Sequence, residues 1–150
     1  MNRINLIALG VKDVAKSMRF YQALGFITHE PRQNPPIVFF DNQGTKLELF
    51  SLEDLAKDIN AENPPPITNS GFGGITFAIN MKSKTEVDDF FAKLETMGAA
   101  IAKTPQWVDW GGYSGYFQDL DGYYWEVAYA DSWQFDDNDM LIIDESSGIV

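Results

Sequence analysis

The sequence predicts an α+β fold built from two tandem βαβββ modules. Three observations lead there. Residues 39–49, FFDNQGTKLEL, and 117–127, FQDLDGYYWEV, repeat one another at a constant offset of 78 positions, so that Phe39, Asp41, Gly44 and Glu48 match Phe117, Asp119, Gly122 and Glu126. In each half the apolar period changes in the same order, from two to 3.6 and back to two, which reads as strand, helix, strands. Glycines punctuate both halves alike: Gly25 and Gly98 follow the helical stripes, and Gly44 and Gly122 sit in the repeated turns.

Ile4 to Val11 alternates as a strand, with Asn5, Ile7, Leu9 and Val11 on one face and Leu6, Ala8 and Gly10 on the other. Asp13 suits an N-cap for a helix running to about Leu24, carrying Val14, Met18 and Tyr21 at helical spacing; Phe20 and Tyr21 read as helix packing. Strands follow near 26–30, 36–41 and 45–50, the last two joined by the Asp41–Gly44 turn. Ser51 to Ser70 is a connector that opens with a short helix capped at Ser51 and bearing Leu52, Leu55 and Ile59 on one side. Pro64, Pro65 and Pro66 then stop regular structure.

The second half restarts at Gly74. Ile75, Phe77, Ile79 and Met81 share one strand face, with Thr76, Ala78 and Asn80 opposite. Ser83 to Glu86 is a capping box before a helix striped by Val87, Phe90, Phe91, Leu94 and Met97. Strands near 100–104, 113–119 and 123–129 complete the unit. The chain thus divides into one domain over 1–130 (module one 1–50, connector 51–72, module two 73–130) and an acidic tail over 131–150. The tail contains the apolar run Met140 to Ile143. Asp136, Asp137 and Asp139 have the look of a calcium loop but lack its glycine and closing glutamate at the required offsets. The tail is therefore either a solvated segment or an arm that packs its apolar run on a neighbour.

Composition narrows the function. A net charge of −11 disfavours nucleic acid and anionic membrane, which select basic surfaces. The N-terminal MNRINLIALG has no signal-peptide pattern and no apolar run is long enough to span a bilayer, so the expected address is cytoplasmic. With no Cys there is no disulfide frame, thiolate metal site or cysteine nucleophile. Four Trp, six Tyr and eleven Phe are many for 150 residues, and some of those rings should line a cavity.

The doubled unit, the phrase Val11-x-Asp13-x-x-x-Ser17-x-x-Phe20-Tyr21-x-x-Leu24-Gly25-Phe26 and the Asp119-Leu120-Asp121-Gly122-x-x-x-Glu126 hairpin together resemble the vicinal oxygen chelate superfamily. Glyoxalase I, extradiol dioxygenases, and fosfomycin and bleomycin resistance proteins are its members. The resemblance covers about residues 4–130 and implies a curved mixed sheet with a central cup, and a homodimer. Leu120 stands where relatives often carry Pro. In metal-using relatives one His or Gln on the first strand, and one Glu or His on the last strand, of each half bind the ion. The last-strand positions match Glu48 and Glu126. The first-strand positions fall on Leu6 and Gly74, which have no ligating side chain, and the single histidine, His29, lies outside the pattern.

Two carboxylates alone make a weak site for Zn, Ni or Fe(II). No cofactor is therefore expected, the alternative being a divalent metal at Glu48 and Glu126. In a shared metal-free cup the two acids would raise each other's apparent pKa and could hold a proton or receive a ligand's ammonium or amide hydrogens. Equally, each could be satisfied structurally by Tyr, Trp or backbone donors. The phrase Trp107 to Tyr116 reads as a loop with a Gly111-Gly112 hinge, whose Trp107, Trp110 and Tyr113 either stack on a ligand or pack over the sheet's open end. Alternation adds Thr76 and Tyr124 to the candidate ligand contacts beside Glu48 and Glu126, and Phe39, at the head of the repeated unit, is a further candidate. The expected function is metal-free binding of a small aromatic or cationic molecule. The alternatives are a glyoxalase-like lyase or isomerase with an altered metal site, whose base would be Glu48 or Glu126, and an interaction module with a vestigial cup.

Overall fold

The structure, a computed structural model, describes residues 1–68 and 71–144. The remaining predicted tail residues, 145–150, lie outside them. The chain forms two compact units, Met1–Gly73 and Gly74–Val150. Each carries a mixed sheet, three-stranded with two helices in the first and four-stranded with one helix in the second, as the α+β prediction requires.

In the first unit β1 (Leu6–Val11), α1 (Val14–Leu24), β2 (Ile37–Phe39), β3 (Lys46–Ser51) and α2 (Leu52–Ile59) follow in order. The sheet order is β1-β3-β2, with β1 parallel and β2 antiparallel to β3. Asp13 caps α1 by accepting from the Lys16 amide at 2.9 Å. Gly25 ends it at φ 115°, where its amide reaches the Gln22 carbonyl and that of Phe26 reaches the Tyr21 carbonyl. A side chain other than glycine would be strained there. The core lies under α1: Tyr21 is 0 % exposed and sits amid Phe20, Phe26 and Phe40 at ring-centroid distances of 5.5 to 5.7 Å. Leu9, Val11, Val38, Leu47 and Leu49 complete it.

The strand expected near 26–30 does not form. Asp41 donates its amide to the Ile27 carbonyl, so this segment runs beside the end of β2. Its later backbone donors then turn to side chains: Glu30 N–H goes to Thr28 Oγ1, and Arg32 N–H to the Glu30 carboxylate, which also chelates the Arg32 guanidinium. Local bonds of this kind compete with a ladder, and Pro31 has no amide to offer one.

In the second unit β4 (Thr76–Asn80), α3 (Lys84–Thr96), β5 (Ala100–Trp107), β6 (Tyr113–Gln118) and β7 (Tyr124–Tyr129) form a sheet of order β4-β7-β6-β5. Ser83 Oγ accepts from the Glu86 amide at 3.1 Å, as a capping box requires, but the Glu86 carboxylate reaches one residue further back, to the Lys82 amide at 2.6 Å. Val87, Phe91 and Leu94 of α3 are buried, and Phe117 and Trp125, stacked at 6.2 Å, lie among the core residues. Gly115 lets the helix close down: a β-carbon there would stand 2.5 Å from Phe91 Cζ.

The repeated hairpins are closed differently. Asp119, 6 % exposed, accepts from the Asp121 and Tyr123 amides at 3.0 and 2.8 Å. In the first module Asn42 does this work, accepting from the Leu47 amide at 3.0 Å, while Asp41 faces solvent and binds Lys46 and His29. The described part of the tail folds back on itself where Phe135 bridges Leu141, and Asp139 ties it to Lys82 between β4 and α3. Among the described residues no helix is long and apolar enough to cross a membrane.

Candidate functional site

The alternation that buries Leu47 and Leu49 under α1 puts Glu48 on the opposite face of its sheet. Its register partners are Ala8 on β1 and Phe39 on β2, so Ala8, Glu48 and Phe39 form one cross-strand row. Phe39 is 53 % exposed; Glu48 is only 8 % exposed. The cover comes from α2. A β-carbon on Gly10, which shares this face, would lie 2.5 Å from Leu52 Cδ1 and 3.4 Å from Leu55 Cδ2, so the helix runs across the same side of β1. Among the described residues no hydrogen bond or ion pair reaches the Glu48 carboxylate, and since no fully buried side-chain polar atom there lacks a partner, its oxygens keep some contact with water. Burial, and then the negative charge of Asp58 on α2, push its pKa above the usual glutamate range. Such a carboxylate has unused acceptor capacity and a bias toward holding a proton or meeting a cation.

In the second unit Glu126 occupies the corresponding place on β7, with Ala78 on β4 and Tyr116 on β6 as register partners. Tyr124 lies two residues along, opposite Thr76 and Gln118, on this same face. Burial, followed by the charge and hydrogen bonding of Glu126, holds the Tyr116 phenol above its ordinary pKa, so it stays protonated as a donor toward that carboxylate. Lys103 of β5 continues the row: it is the register partner of Tyr116, its Nζ stands 5.7 Å from the ring centroid and it donates to Ser114 Oγ at 3.4 Å.

The aromatic phrase divides in two, Trp107 with Tyr113 and Trp110 with Trp133. Trp107 is the last residue of β5 rather than part of a loop; it is 55 % exposed and packs at 5.3 Å on Tyr113. Tyr113 is 8 % exposed and turns to α3, donating to Asp88 at 2.8 Å with the Lys84 ammonium 4.5 Å over its ring. Trp110, 56 % exposed, stacks on Trp133 at 5.7 Å and presses on Gly112, where a β-carbon would stand 1.8 Å from the indole. Trp107 and Tyr113 thus share one surface, and Trp110 packs on Trp133. Trp107 and Trp110 each keep a free surface, and Tyr113 is committed to a hydrogen bond and a cation–π contact.

Tyr116, Lys103, Trp133 and the α2 cover escape the sequence reading. Tyr116 falls inside the strand expected near 113–119, and alternation there puts it on the face of Ser114 and Gln118; its pairing with Glu126 depends on the β6–β7 register. An open cavity of about 360 Å³ in the first unit, lined by Val11, Lys12, Ser51, Leu52, Glu53 and Ile67, shares no residue with the Glu48 row.

A divalent metal is the group this architecture would call for. Glu48 has Ala8 and Phe39 beside it, Glu126 has Ala78 and Tyr116, and His29 pairs with Asp41 while 80 % of its side chain is exposed. Among the described residues no three His, Cys, Asp or Glu side chains gather closely enough to hold an ion. Neither row offers the imidazole or further carboxylates that Zn, Ni, Fe(II) or Mn need, so the donor sets do not fit.

A sequence model of the Glyoxalase/Bleomycin resistance protein/Dioxygenase superfamily matches residues 3–127. The chain belongs to that superfamily. Solved structures of the superfamily agree with this. A glyoxalase-related enzyme from Fulvimarina pelagi is 25 % identical at a TM-score of 0.83, covering 95 % of this chain and 99 % of its own. Lactoylglutathione lyase from Agrobacterium tumefaciens is 25 % identical at a TM-score of 0.66, over 90 % of this chain and 98 % of its own. A glyoxalase/bleomycin resistance protein/dioxygenase from Nocardioides, at 21 % identity and a TM-score of 0.71 over 87 % of this chain and 84 % of its own, shares the fold. No curated protein matches the chain significantly. In this chain Glu48 stands between Ala8 and Phe39 on its sheet, and Glu126 between Ala78 and Tyr116.

Proposed function

We propose that this member of the superfamily binds a small molecule without a metal ion, and that the ligand is cationic, aromatic or both. The observation that carries the reading is Glu48: a desolvated carboxylate with no hydrogen-bond partner among the described residues, beside a half-exposed phenylalanine ring. A cation recovers the electrostatic energy lost by such an acid, and a planar group finds the Phe39 face. The net charge of −11 favours the approach of cations to the whole molecule. Calorimetric titration with benzylamine, tryptamine and N-methylquinolinium tests it. The expected result is binding of at least one probe that Glu48→Gln or Glu126→Gln weakens about tenfold, the scale of one lost charge-assisted hydrogen bond. Silence across the panel, or affinities that neither variant moves, would overturn it.

A second reading has one observation in its favour. Likeness to a lactoylglutathione lyase, together with a carboxylate whose pKa is raised, supports a lyase or isomerase in which Glu48 or Glu126 is the general base and the metal set is altered. Elemental analysis of the purified protein separates the two: stoichiometric Ni, Zn, Fe or Mn selects the enzyme. As a cellular setting we propose the cytoplasm, and as an assembly a homodimer; sedimentation velocity reads the latter.

A further inference from the structure

The β5–β6 ladder is broken on either side of Lys103. Ile101 pairs with Phe117, Lys103 with Tyr116, and Gln106 with Ser114. An unbroken ladder would put Lys103, two residues after Ile101, opposite Gly115, on the face that α3 covers with Phe91. The extra residue, Ala102, shifts the pairing by one, and Lys103 turns to the side of Tyr116 and Glu126. A second irregularity before Gln106 then adjusts the register again. Bulges of this kind re-aim side chains next to functional sites. Lys103 is also one of only 11 Lys and Arg residues among 22 acids, so a cation aimed at this face is not a product of average composition.

We propose that Glu126, Tyr116 and Lys103, on three successive strands, form a recognition strip for a zwitterionic aromatic molecule. Glu126 receives the ligand's ammonium, the Tyr116 ring carries its planar middle, and Lys103 with Ser114 takes its carboxylate. The inference rests on the small-molecule-binding reading and deepens it, because an acid alone would select any cation whereas the strip also demands an anion at a set distance. Ser114, 1 % exposed, accepts from the Lys103 ammonium at 3.4 Å, a contact that orients the lysine along this face. The strands lie about 5 Å apart, so the two charged ends are separated by roughly two strand spacings, less whatever the side chains lean inward. That separation suits charges placed at opposite ends of a ring, and it is too wide for the ammonium and carboxylate of one α-amino acid carbon.

The probes are 4-(aminomethyl)benzoate, which carries both charges across a benzene ring, and benzylamine, which lacks the anion. Calorimetry on the full chain should find the zwitterion bound at least tenfold more tightly than benzylamine. Lys103→Met should erase that advantage while leaving benzylamine within twofold, and Lys103→Arg should restore it. Glu126→Gln should weaken both probes. Benzylamine binding with no advantage for the zwitterion, or an advantage that survives Lys103→Met, overturns the strip and leaves the broader reading standing. Failure of every probe overturns both. Thermal melts of each variant confirm that the fold is retained.

Discussion

Replacing Glu48 by glutamine should stabilise the protein at neutral pH. The side chain is 8 % exposed, its carboxylate meets no donor among the described residues, and Asp58 adds a like charge from α2. Folding therefore strips part of the water from an anion and returns no hydrogen bond. A fully buried polar group without a partner costs about 1–3 kcal/mol; the Glu48 oxygens keep some contact with water, so the cost here lies at the low end of that range. Glutamine keeps the shape and the unpaired polar atoms but removes the charge, so a gain of about 1 kcal/mol is expected, or about 2–4 °C in melting temperature for a chain of this size. The pH dependence identifies the cause. A carboxyl whose pKa is raised on folding supports the native state fully below its ordinary value of 4.5, and that support is lost as pH rises through the higher folded value. The Glu48→Gln advantage should thus be smallest at acid pH, below the ordinary glutamate value, and grow as pH rises above it in urea melts. A glutamine variant less stable than the parent at pH 7, with no pH trend, would refute the reasoning, because it would mean that the carboxylate accepts a structural bond. A gain in stability joined to a loss of cation binding is what a residue kept for function shows.

Gly122→Val should destabilise by about 1–3 kcal/mol in urea melts, since φ is 88° at the turn and a β-branched residue is strained there. Phe117→Ala, at a site 0 % exposed and packed on Trp125 and Phe90, should cost about 3–5 kcal/mol by the same assay. Gly115→Ala should cost about 1–3 kcal/mol, because the new methyl meets not only the Phe91 ring but two backbone atoms, Lys103 O at 2.8 Å and Pro105 N at 2.9 Å, that cannot swing away. In Tyr113→Phe the Asp88 carboxyl should titrate higher by NMR: Lys84 and Tyr113 hydrogen bonds both lower its pKa, so the stability this pairing adds above the usual aspartate range, and loses as pH falls through the folded value, shrinks when one donor is removed.

Much of this was legible in the chain because strand alternation is a local rule. Knowing that Leu47 and Leu49 are core is enough to put Glu48 on the other face, and the 78-residue offset carries the same statement to Glu126. The caps at Asp13, Ser51 and Ser83 follow equally from neighbours three residues on. What escaped depends on distant parts of the chain. Leu52 and Leu55 announce a buried helix side, but nothing nearby says that this side meets Gly10 and shades Glu48. Lys103 is invisible to alternation because a bulge is the failure of alternation. The strand near 26–30 looked apolar enough, but its backbone donors found closer acceptors in Thr28 and Glu30.

The two modules show how a repeat can hold position constant while chemistry drifts. Glu48 and Glu126 each stand on the last strand of their sheet with an alanine, Ala8 or Ala78, from the parallel first strand as register partner. The antiparallel neighbour differs: Phe39 offers Glu48 no donor, whereas Tyr116 offers Glu126 a phenol, with Lys103 one strand beyond. The backbone needs only an alternating strand at both places, so a single substitution at the neighbouring position changes what the acid can do without disturbing the ladder. Installing the missing donor tests this directly. Phe39→Tyr places a phenol on the residue paired with Glu48, as Tyr116 is with Glu126. It should return part of the hydrogen bonding that Glu48 lacks and lower its pKa. The pH-dependent advantage of Glu48→Gln should then shrink in the Phe39→Tyr background. An advantage of undiminished size in the double variant would mean that the row does not bring the two side chains together.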